Sequence, residues 1–382
     1  MKTKRKILVL DGGNQNALAI VRHLGTANEY HIDLVAYNKL SPALFSKFVN
    51  KKYVITSPKQ STSSFYEDLI SILKTETYFL VMPVGFSSFE VCMNHREEIE
   101  KYTKISLTNR NAFDIASSKQ KTYALAEELG IPYPKTWKIY TESDIETVEL
   151  TYPVVIKAPF EMGKNVVEYA HSKEEAILSF KKMSRKYEFI APDSPIVQQY
   201  ITGEGYGFFA FYDQGECKRS FMHKRIRENP PSGGVSTCAE SFCDEQLFNY
   251  GKKILDALHW NGVAMVEFKM DVKDGIYKLM EINPKFWGSL ELAIVSGVDF
   301  PNLILKKAGG EPLEISQKFE QQRFQWLLNG ELFHFFSRPF SLLGILKDIL
   351  FSKKDFWWSD IVPNLVQVPL IFNYYYKKLF GK

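Results

Sequence analysis

Two runs of alternating apolar residues, 263–271 and 276–283, flank an Asp274-Gly275 pair, which is a strong short-range signal for a β-hairpin. A hairpin centred near Asp274 is predicted to pair Asp271 with Tyr277 and, further out, Glu267 with Glu281. Side chains of directly opposed residues share one face of the hairpin, and Asn283 lies two residues along on that same face. The sequence therefore predicts that two carboxylates face each other beside an amide.

Facing carboxylates repel each other, so this arrangement is expected to hold a cation. Three hard oxygen ligands, from Glu267, Glu281 and Asn283, suit Mg²⁺ or Mn²⁺ accompanied by substrate phosphates. The alternative is a pair of solvated carboxylates on an exposed sheet face. Glu281 argues against it, because the surrounding strand is apolar and an unpaired buried carboxylate is costly.

Composition limits the class of protein. A chain of 382 residues is long enough for two or three domains, and a formal net charge of +4 gives no reason to expect a nucleic-acid partner. Its four cysteines form no Cys-x-x-Cys pair, which favours a reducing cytoplasm. The basic first residues lack the apolar core of a signal peptide, and no uncharged apolar run approaches the roughly 18 residues of a membrane span.

Residues 1–115 alternate between apolar strands and helical stretches. Strands are predicted at 6–10, 31–37 and 78–83, and helices near 64–74 and 88–101, which together indicate a parallel, doubly wound sheet. The first strand runs into a turn, Asp11-Gly12-Gly13-Asn14. That turn lacks the third spaced glycine of a dinucleotide site, so contact between a helix N-terminus and a substrate anion is the favoured interpretation.

The next segment carries two lysines that could meet phosphate. Ser118 is predicted to cap a helix from Lys119 to Leu129, with stop signals at Gly130 and Pro132. Lys157 closes a buried strand, 151–157, before a loop containing Gly163. Lys157 is placed to bind phosphate as a point charge, although a lysine that snorkels to solvent is the alternative.

Two further stretches suggest a ligand cleft. Residues 195–211 predict a strand, a tight turn and a second strand, a crossing between two lobes where Glu204 could reach a sugar. Residues 222–237 are rich in basic side chains before a Pro-Pro-Ser-Gly-Gly turn. Arg225 and Arg227, two apart on one strand, are expected to share a face and clamp a phosphate or carboxylate; a solvated strand face is the alternative.

These motifs together resemble the ATP-grasp enzymes, in the branch that includes carbamoyl phosphate synthase and carboxylate-amine ligases. The resemblance extends from about Lys6 to Gly310 and rests mainly on Glu-Ile-Asn-Pro-Lys-Phe-Trp-Gly-Ser (281–289), Val-Glu-Phe-Lys-Met-Asp (266–271) and His-Lys-Arg-Ile-Arg-Glu-Asn (223–229). It implies a Rossmann-like domain at 1–115 and a two-lobed ATP-grasp domain at 116–312. The lid lobe would cover about 116–193 and the metal-binding lobe about 194–312.

The resemblance also implies roles for individual residues. ATP would be held by Lys119, Lys157, Gly163, Gln198, Gln199, Ile201 and Glu204, while Glu267, Glu281 and Asn283 would bind Mg²⁺, with two ions expected. Arg225, Arg227 and Lys285 would act on the reacting groups. Two positions depart from the family: Lys285 stands where arginine is usual, and only Gly163 remains of a glycine-rich loop.

The activity implied is an ADP-forming ligase that phosphorylates a small-molecule carboxylate and joins the acyl phosphate to an amine. A related enzyme that activates bicarbonate, and a regulatory or assembly protein that binds ATP without turnover, are the alternatives. A homodimer is among the expected assemblies.

Residues 313–382 fit none of this chemistry. They combine many aromatic side chains with lysines, including Lys353 and Lys354. A helical extension that packs its aromatic residues on the catalytic body is favoured over a membrane-surface tail. A partner or substrate interface is the intermediate interpretation.

Overall fold

The computed structural model describes residues 4–162, 166–231 and 233–380. The described chain contains three β-sheets: a parallel sheet at the N-terminus, a small antiparallel sheet, and a large sheet extended by the C-terminal segment. Gly163, assigned to the lid loop by the resemblance, lies outside the described residues.

The N-terminal sheet is parallel, as the alternating pattern predicts, and its five strands have the order β3-β2-β1-β4-β5. The helix predicted at 88–101 is divided at His95 into two helices. Two strands, β3 and β5, were not predicted, because both are short or mostly exposed. The elements are β1 (Arg5–Val9), α1 (Gln15–Ala27), β2 (Tyr30–Ala36), a 3-10 helix (Pro42–Phe45), β3 (Val49–Val54), α2 (Thr62–Thr75), β4 (Leu80–Met82), α3 (Phe86–Asn94), α4 (Arg96–Glu100) and β5 (Lys104–Ile105).

The second sheet is antiparallel and ordered β6-β9-β7-β8. The predicted helix after Ser118 is present as α6, and the Ser118 hydroxyl accepts a hydrogen bond from the amide of Lys121. The elements are α5 (Arg110–Ser117), α6 (Lys119–Glu128), β6 (Thr136–Trp137), α7 (Glu142–Thr147), β7 (Val154–Lys157), β8 (Val167–Ala170), α8 (Lys173–Tyr187) and β9 (Ile196–Gln199).

The third sheet has the order β14-β13-β10-β11-β12-β15-β16. Strands β9 and β10 belong to different sheets, so residues 200–204 form a crossing between lobes, as predicted, and not a hairpin turn. The elements are β10 (Gly205–Asp213), β11 (Glu216–Asn229), β12 (Val235–Ser241), α9 (Glu245–Ala257), β13 (Gly262–Met270), β14 (Tyr277–Asn283), α10 (Leu290–Val295) and α11 (Phe300–Gly309).

Strands β13 and β14 form the predicted hairpin, with one correction to its register. Glu267 opposes Glu281 as expected, but Tyr277 pairs with Met270 and not with Asp271. A β-bulge between the two ends of the hairpin inserts Met280 as an extra residue on β14, which compensates for the one-residue difference at the turn. The facing carboxylates are therefore retained although the turn is one residue longer than predicted.

The C-terminal segment is mostly helical but also extends the large sheet by two short strands. The elements are β15 (Arg323–Gln325), a π-helix (Leu327–Glu331), α12 (Leu332–Ser337), a 3-10 helix (Pro339–Ser341), α13 (Leu342–Phe351), β16 (Lys353–Lys354), a 3-10 helix (Trp358–Asp360) and α14 (Val362–Phe380). Phe324 and Trp326 are 2% and 1% exposed and join a core cluster that also contains residues of β1 and β13. The extension is thus part of the folded body.

A buried arginine fastens this extension to the N-terminal domain. Arg22 on α1 donates from Nε to Asp360 Oδ2 (3.0 Å) and from Nη2 to Asn364 Oδ1 (2.7 Å), and it also bonds the backbone carbonyl of Asp355. The side chains of Arg22 and Asp360 are only 1% and 2% exposed. The ion pair is therefore sealed between the two segments.

No helix in the described part of the chain is long and apolar enough to cross a membrane. All four cysteines are free thiols.

Candidate active site

A cavity of about 970 Å³ opens between the three sheets. This volume is at the upper end of the range of roughly 300–1,000 Å³ that is typical of small-molecule sites. Its walls come from the N-terminal domain (Asp11, Gly13, Asn14, Gln15, Gly85), from the small sheet (Lys157, Phe160, Glu161, Gln198, Gln199) and from the large sheet (Arg225, Glu267, Glu281, Asn283, Lys285). Most of the site residues predicted from sequence therefore converge on one cavity.

The hairpin carboxylates form one wall of this cavity and are neutralised by cations from other elements. Arg225 on β11 binds Glu267 through two donors, at 3.1 and 2.5 Å. Lys119, at the start of α6, lies 3.5 Å from Glu281. Asn283 Nδ2 donates to Glu281 Oε1 (3.1 Å), and Lys285 Nζ donates to Asn283 Oδ1 (3.1 Å).

The pKa values of the two carboxyl groups shift in opposite directions. Burial raises the pKa of Glu267, and the Arg225 guanidinium only partly offsets this effect. Burial alone would also raise the pKa of Glu281, but the charges of Lys119, Lys285 and Lys157, together with the hydrogen bond from Asn283, lower it to about 2. The pKa of Glu281 therefore lies below the usual range of a glutamate, and that of Glu267 lies above it.

Lys157 closes β7 as predicted and lies deep in the cavity wall, 6% exposed. Burial, reinforced by the nearby charge of Lys119, lowers the pKa of Lys157 to about 7. Its Nζ donates to the hydroxyl of Tyr123 at 2.7 Å. This lysine does not snorkel to solvent, so the alternative interpretation made from sequence is not what the structure shows.

Tyr123 is a site residue that the sequence reasoning missed. Its hydroxyl donates to the carbonyl of Met280 (2.7 Å), the residue that the β-bulge leaves outside the ladder, so it joins Lys157 to the β13–β14 hairpin. The available signal was its position four residues after Lys119 on α6, which places both side chains on one helix face.

Arg225 and Arg227 do not act as one clamp, because a register shift separates them and their partners differ. Arg225 contacts Glu267, Glu228 and the carbonyl of Gly234 in the cavity. Arg227 turns to the C-terminal segment, where its Nε donates to Glu331 (2.9 and 3.0 Å) and its Nη2 lies 2.7 Å from Asp348. Only Arg225 lines the cavity. The expectation that both would share the site is therefore corrected.

Among the residues that the resemblance assigns to the base and sugar of ATP, some also line the cavity and one does not. Gln198, Gln199 and Ile201 line the cavity, whereas Glu204 does not. The Glu204 side chain is 56% exposed and forms an ion pair with Lys224 (2.9 Å). In this arrangement Glu204 faces solvent at the rim of the lobe crossing.

The N-terminal domain contributes its helix-initiating turn to the cavity. Asp11 adopts a left-handed conformation (φ 65°), and its buried carboxylate accepts hydrogen bonds from the amides of Val84 and Gly85 and from the Tyr37 hydroxyl. The role of the turn in binding a substrate anion stays a prediction. What the structure adds is that Asp11 organises the neighbouring Gly85 loop.

A hydrogen bond joins the N-terminal domain to the segment that follows the β13–β14 hairpin. Gln15 Nε2, in the first turn of α1, donates to the carbonyl of Gly288 (2.8 Å). Gly288 belongs to the segment that follows β14, and both Gln15 and Gly288 line the cavity. Residues distant in sequence therefore define one site.

The donors present fit a divalent cation. Glu267, Glu281 and Asn283 lie on one hairpin face, and the charges of the two carboxylates are balanced by Arg225 and Lys119. Among the described residues, no group of three or more His, Cys, Asp or Glu side chains is arranged to hold a metal. A set of two carboxylates and one amide suits an ion that completes its coordination with substrate oxygens, as Mg²⁺ does.

Comparison with known proteins gives a consistent result. A model of the family described as "ATP-grasp in the biosynthetic pathway with Ter operon" matches residues 195–329. A D-aspartate ligase from Enterococcus faecium is 23% identical over 320 residues, which cover 78% of this chain and 75% of that protein. Carbamoyl phosphate synthase large chains also match, but this chain spans only 21–28% of the length of six of them.

Solved structures show the same fold. Biotin carboxylase from Campylobacter jejuni superimposes with a TM-score of 0.67 at 18% identity, covering 84% of this chain and 74% of that one. An L-amino acid ligase from Bacillus licheniformis gives a TM-score of 0.60 at 15% identity, covering 82% and 76% of the two chains. At these identities the structural matches establish the fold alone.

Proposed function

Because this chain belongs to the ATP-grasp superfamily, we propose that its cavity binds ATP and that the protein is an ADP-forming ligase joining a carboxylate to an amine. The observation that carries the proposal is the facing pair Glu267 and Glu281, beside Asn283, on the wall of a cavity that also contains Lys119, Lys157 and Arg225. Acidic and basic side chains gathered around one cavity suit a triphosphate and its metal ions.

The chain offers a distinct role for each element of this cavity. Lys119 and Lys157 would neutralise the phosphates from the side of the small sheet, and Gln199 and Ile201 would present backbone groups to the base. Glu267, Glu281 and Asn283 would hold Mg²⁺, which when bound neutralises phosphate charge and orients the phosphoryl group. Gly163 would belong to the loop that covers the phosphates.

The chemistry asked of the protein is mainly positioning and charge neutralisation. An oxygen of the substrate carboxylate forms a bond to the γ-phosphorus as the bond to ADP breaks. The amine then attacks the carbonyl carbon and loses a proton, and phosphate leaves with the bonding electron pair. Arg225 and Lys285 would stabilise the negative charge that develops in both steps.

The names of two relatives support the substrate class. One is a D-aspartate ligase and one an L-amino acid ligase, and both therefore handle amino acids. We infer that at least one substrate here is an amino acid or a related small carboxylate. The N-terminal turn at Gly13 and Asn14, across the cavity from the hairpin, is the candidate surface for it.

Activation of bicarbonate is the second candidate, favoured by the extent of the fold match to biotin carboxylase. A third, ATP binding without turnover, is less consistent with the site. All three proposed metal ligands and both proposed phosphate lysines are present, and both lysines line the cavity.

The test is an assay of nucleotide products with a panel of amino acids, other carboxylates, amines and bicarbonate. The ligase hypothesis predicts ADP and phosphate that appear only when a carboxylate and an amine are both supplied, together with an amide product detected by mass spectrometry. Formation of AMP and pyrophosphate would contradict the acyl phosphate route, and bicarbonate-dependent turnover without an amine would favour the second candidate.

The matched variants are Glu281→Gln and Asp274→Asn, which neutralise carboxylates on the same hairpin. Glu281→Gln is expected to lower kcat by roughly a thousandfold or more because a metal ligand is lost. Asp274→Asn affects an exposed turn carboxylate that binds Lys278, and it should leave kcat unchanged. Equal activity of Glu281→Gln and the wild type would refute the metal assignment.

A further inference from the structure

The C-terminal extension carries a large apolar surface on and around α13. Phe340, immediately before this helix, is fully exposed, and Leu343, Leu350 and Phe351 are 81%, 78% and 80% exposed. Leu346, on the same side of the helix, is half exposed. We call these five residues the C-terminal apolar face. Contiguous apolar surfaces of this kind mark a site that another molecule covers.

The two helices of this region reverse the usual polarity of a surface helix. α13 buries Asp348 and exposes its leucines, and α14 buries Asn364 and Gln367 while exposing Leu365 and Phe372. The buried Asp348 has defined partners, since it pairs with Arg227 and Arg323, each at 2.7 Å. The buried polar positions are therefore specific. Ile345 and Ile371 are buried as well, but the exposed sides of both helices are largely apolar.

Charged side chains are also divided between the buried and the exposed sides of this segment. All three acidic residues between 332 and 373, namely Asp348, Asp355 and Asp360, are buried, at 5%, 7% and 4% exposure. The exposed charged side chains in the same range are all basic: Arg338, Lys347 and Lys353. The surface presented by residues 332–373 is therefore apolar and positively charged.

A neighbouring segment of the N-terminal domain has the same character. The 3-10 helix Pro42–Phe45 packs against α14. Lys39 and Lys47 beside it are exposed, and Leu40 is 54% exposed. Residues 38–53 contain no acidic side chain, so this segment adds further positive charge next to the extension.

We propose that the C-terminal apolar face binds the surface of an anionic lipid bilayer, with α13 lying in the plane of the interface. Apolar side chains enter the boundary between headgroups and acyl chains, while flanking lysines and arginines pair with anionic headgroups. A second copy of the chain is disfavoured as the occupant, because a twofold contact would bring like charges together. With no spanning helix among the described residues, the contact is interfacial.

This inference goes beyond the proposed function and revises the expectation favoured from sequence. Phe324 and Trp326 pack on the catalytic body as that expectation requires. Phe340, Phe351 and Trp358 do not, and Trp358 is 82% exposed. The extension is thus buried on one side and bears a second, outward apolar surface.

The test uses flotation of the full-length protein with two kinds of vesicle, phosphatidylcholine alone and phosphatidylcholine mixed with phosphatidylglycerol. The wild type is expected to float with the mixed vesicles and only weakly with the neutral ones. The combined variant Phe340→Ser, Leu343→Ser, Leu350→Ser is expected to stay in the soluble fraction. Its matched control is Leu178→Ser, Ile190→Ser, Val272→Ser, which changes three exposed apolar residues elsewhere (67–77% exposed) and should bind as the wild type does.

A second comparison isolates charge. The variant Arg338→Gln, Lys347→Gln, Lys353→Gln should lose about a hundredfold in affinity for mixed vesicles, roughly fivefold for each charge removed. The control Lys186→Gln, Lys273→Gln, Lys318→Gln changes net charge equally at exposed sites outside this surface and should lose far less. All variants alter exposed side chains, so circular dichroism and ADP formation should be unchanged.

Three results would overturn the proposal. One is a wild type that stays soluble with both vesicles. Another is vesicle binding that the apolar face variant retains in full. The third is a wild-type dimer in light scattering that the same variant dissociates, since a second copy would then cover this face.

Discussion

Two clusters of opposite charges, one in the cavity and one beneath the C-terminal extension, use the same kinds of side chain but differ in access to solvent. In the cavity, the Glu267 and Glu281 side chains are 18% and 28% exposed and bind Arg225 and Lys119. Under the extension, Asp360 is 2% exposed and its partner Arg22 only 1%.

This difference in exposure distinguishes charges that could bind a ligand from charges that hold two segments of the fold together. An ion pair at a cavity wall can exchange its partner for a ligand, because the arriving charge replaces the one that leaves. A sealed pair has no such substitute, and removing one member leaves an uncompensated buried charge. The residue types alone would assign both clusters the same role.

Arg227 lies at the boundary between the two clusters. It comes from the same strand as Arg225, yet its partners Glu331 and Asp348 belong to the extension and are 2% and 7% exposed. The extension therefore holds the strand from which Arg225 reaches the cavity. The ion pairs under the extension therefore support the strand that carries Arg225, although none of their side chains lines the cavity.

The largest effect on stability is expected at the sealed pair. Arg22→Met should lower the free energy of unfolding by about 3 kcal/mol or more, because Asp360 stays buried without its counter-ion. The measurement is urea unfolding followed by tryptophan fluorescence. Arg110→Met is the control, since Arg110 forms an exposed pair with Asp114 and should cost less than about 1 kcal/mol. Equal shifts in the two variants would show that burial does not distinguish them.

The two arginines of β11 should separate activity from stability. Arg225→Gln is expected to lower kcat/KM for ADP formation by roughly a hundredfold, the loss typical of one charge-stabilising donor. Arg227→Gln should lower it by less than about tenfold while reducing the urea midpoint, because its partners lie in the sealed cluster. A larger loss of kcat/KM in Arg227→Gln than in Arg225→Gln would indicate that Arg227 takes part in the reaction. That result would contradict the distinction between the two clusters.

The smallest expected effect is a pH dependence of nucleotide binding. The pKa of Lys157 is lowered to about 7 by burial and by Lys119, whereas a bound polyphosphate favours the charged amine and raises this pKa. Binding should therefore take up a proton above pH 7, and affinity should fall by up to about tenfold per pH unit as pH rises above 7.

Calorimetry of ATP binding in two buffers of different ionisation enthalpy measures this uptake. The variant Lys157→Met should bind ATP more weakly and show no proton uptake in this pH range. Uptake of the same size in that variant would assign the titration to another group.

Much of the candidate site could be predicted from the sequence, because the residues that form it follow local rules of strand periodicity and turn formation. Alternating strands on either side of an Asp-Gly turn predict a hairpin in which Glu267 opposes Glu281, and this pair is present because the bulge at Met280 offsets a turn that is one residue longer than predicted. The paired residues at the turn were misplaced by one, since local spacing gives no sign of a bulge at Met280. The roles given to the individual residues stay predictions.

Other features depend on contacts between distant segments. Arg225 and Arg227 look equivalent along the chain, and only the register shift on β11 and the packing of the extension give them different partners. Tyr123 acquires its role from Lys157 and Met280, which lie 34 and 157 residues away.

The sequence by itself determined the parallel N-terminal sheet, the β13–β14 hairpin and the lysine that closes β7, because each follows from periodicity, turn chemistry or a strand end. Only the tertiary structure decided which charges face a cavity, which are sealed, and which apolar residues of the extension point outwards. Burial depends on how the whole chain packs. A segment of apolar and charged residues does not show from its sequence which of its faces the rest of the molecule will cover.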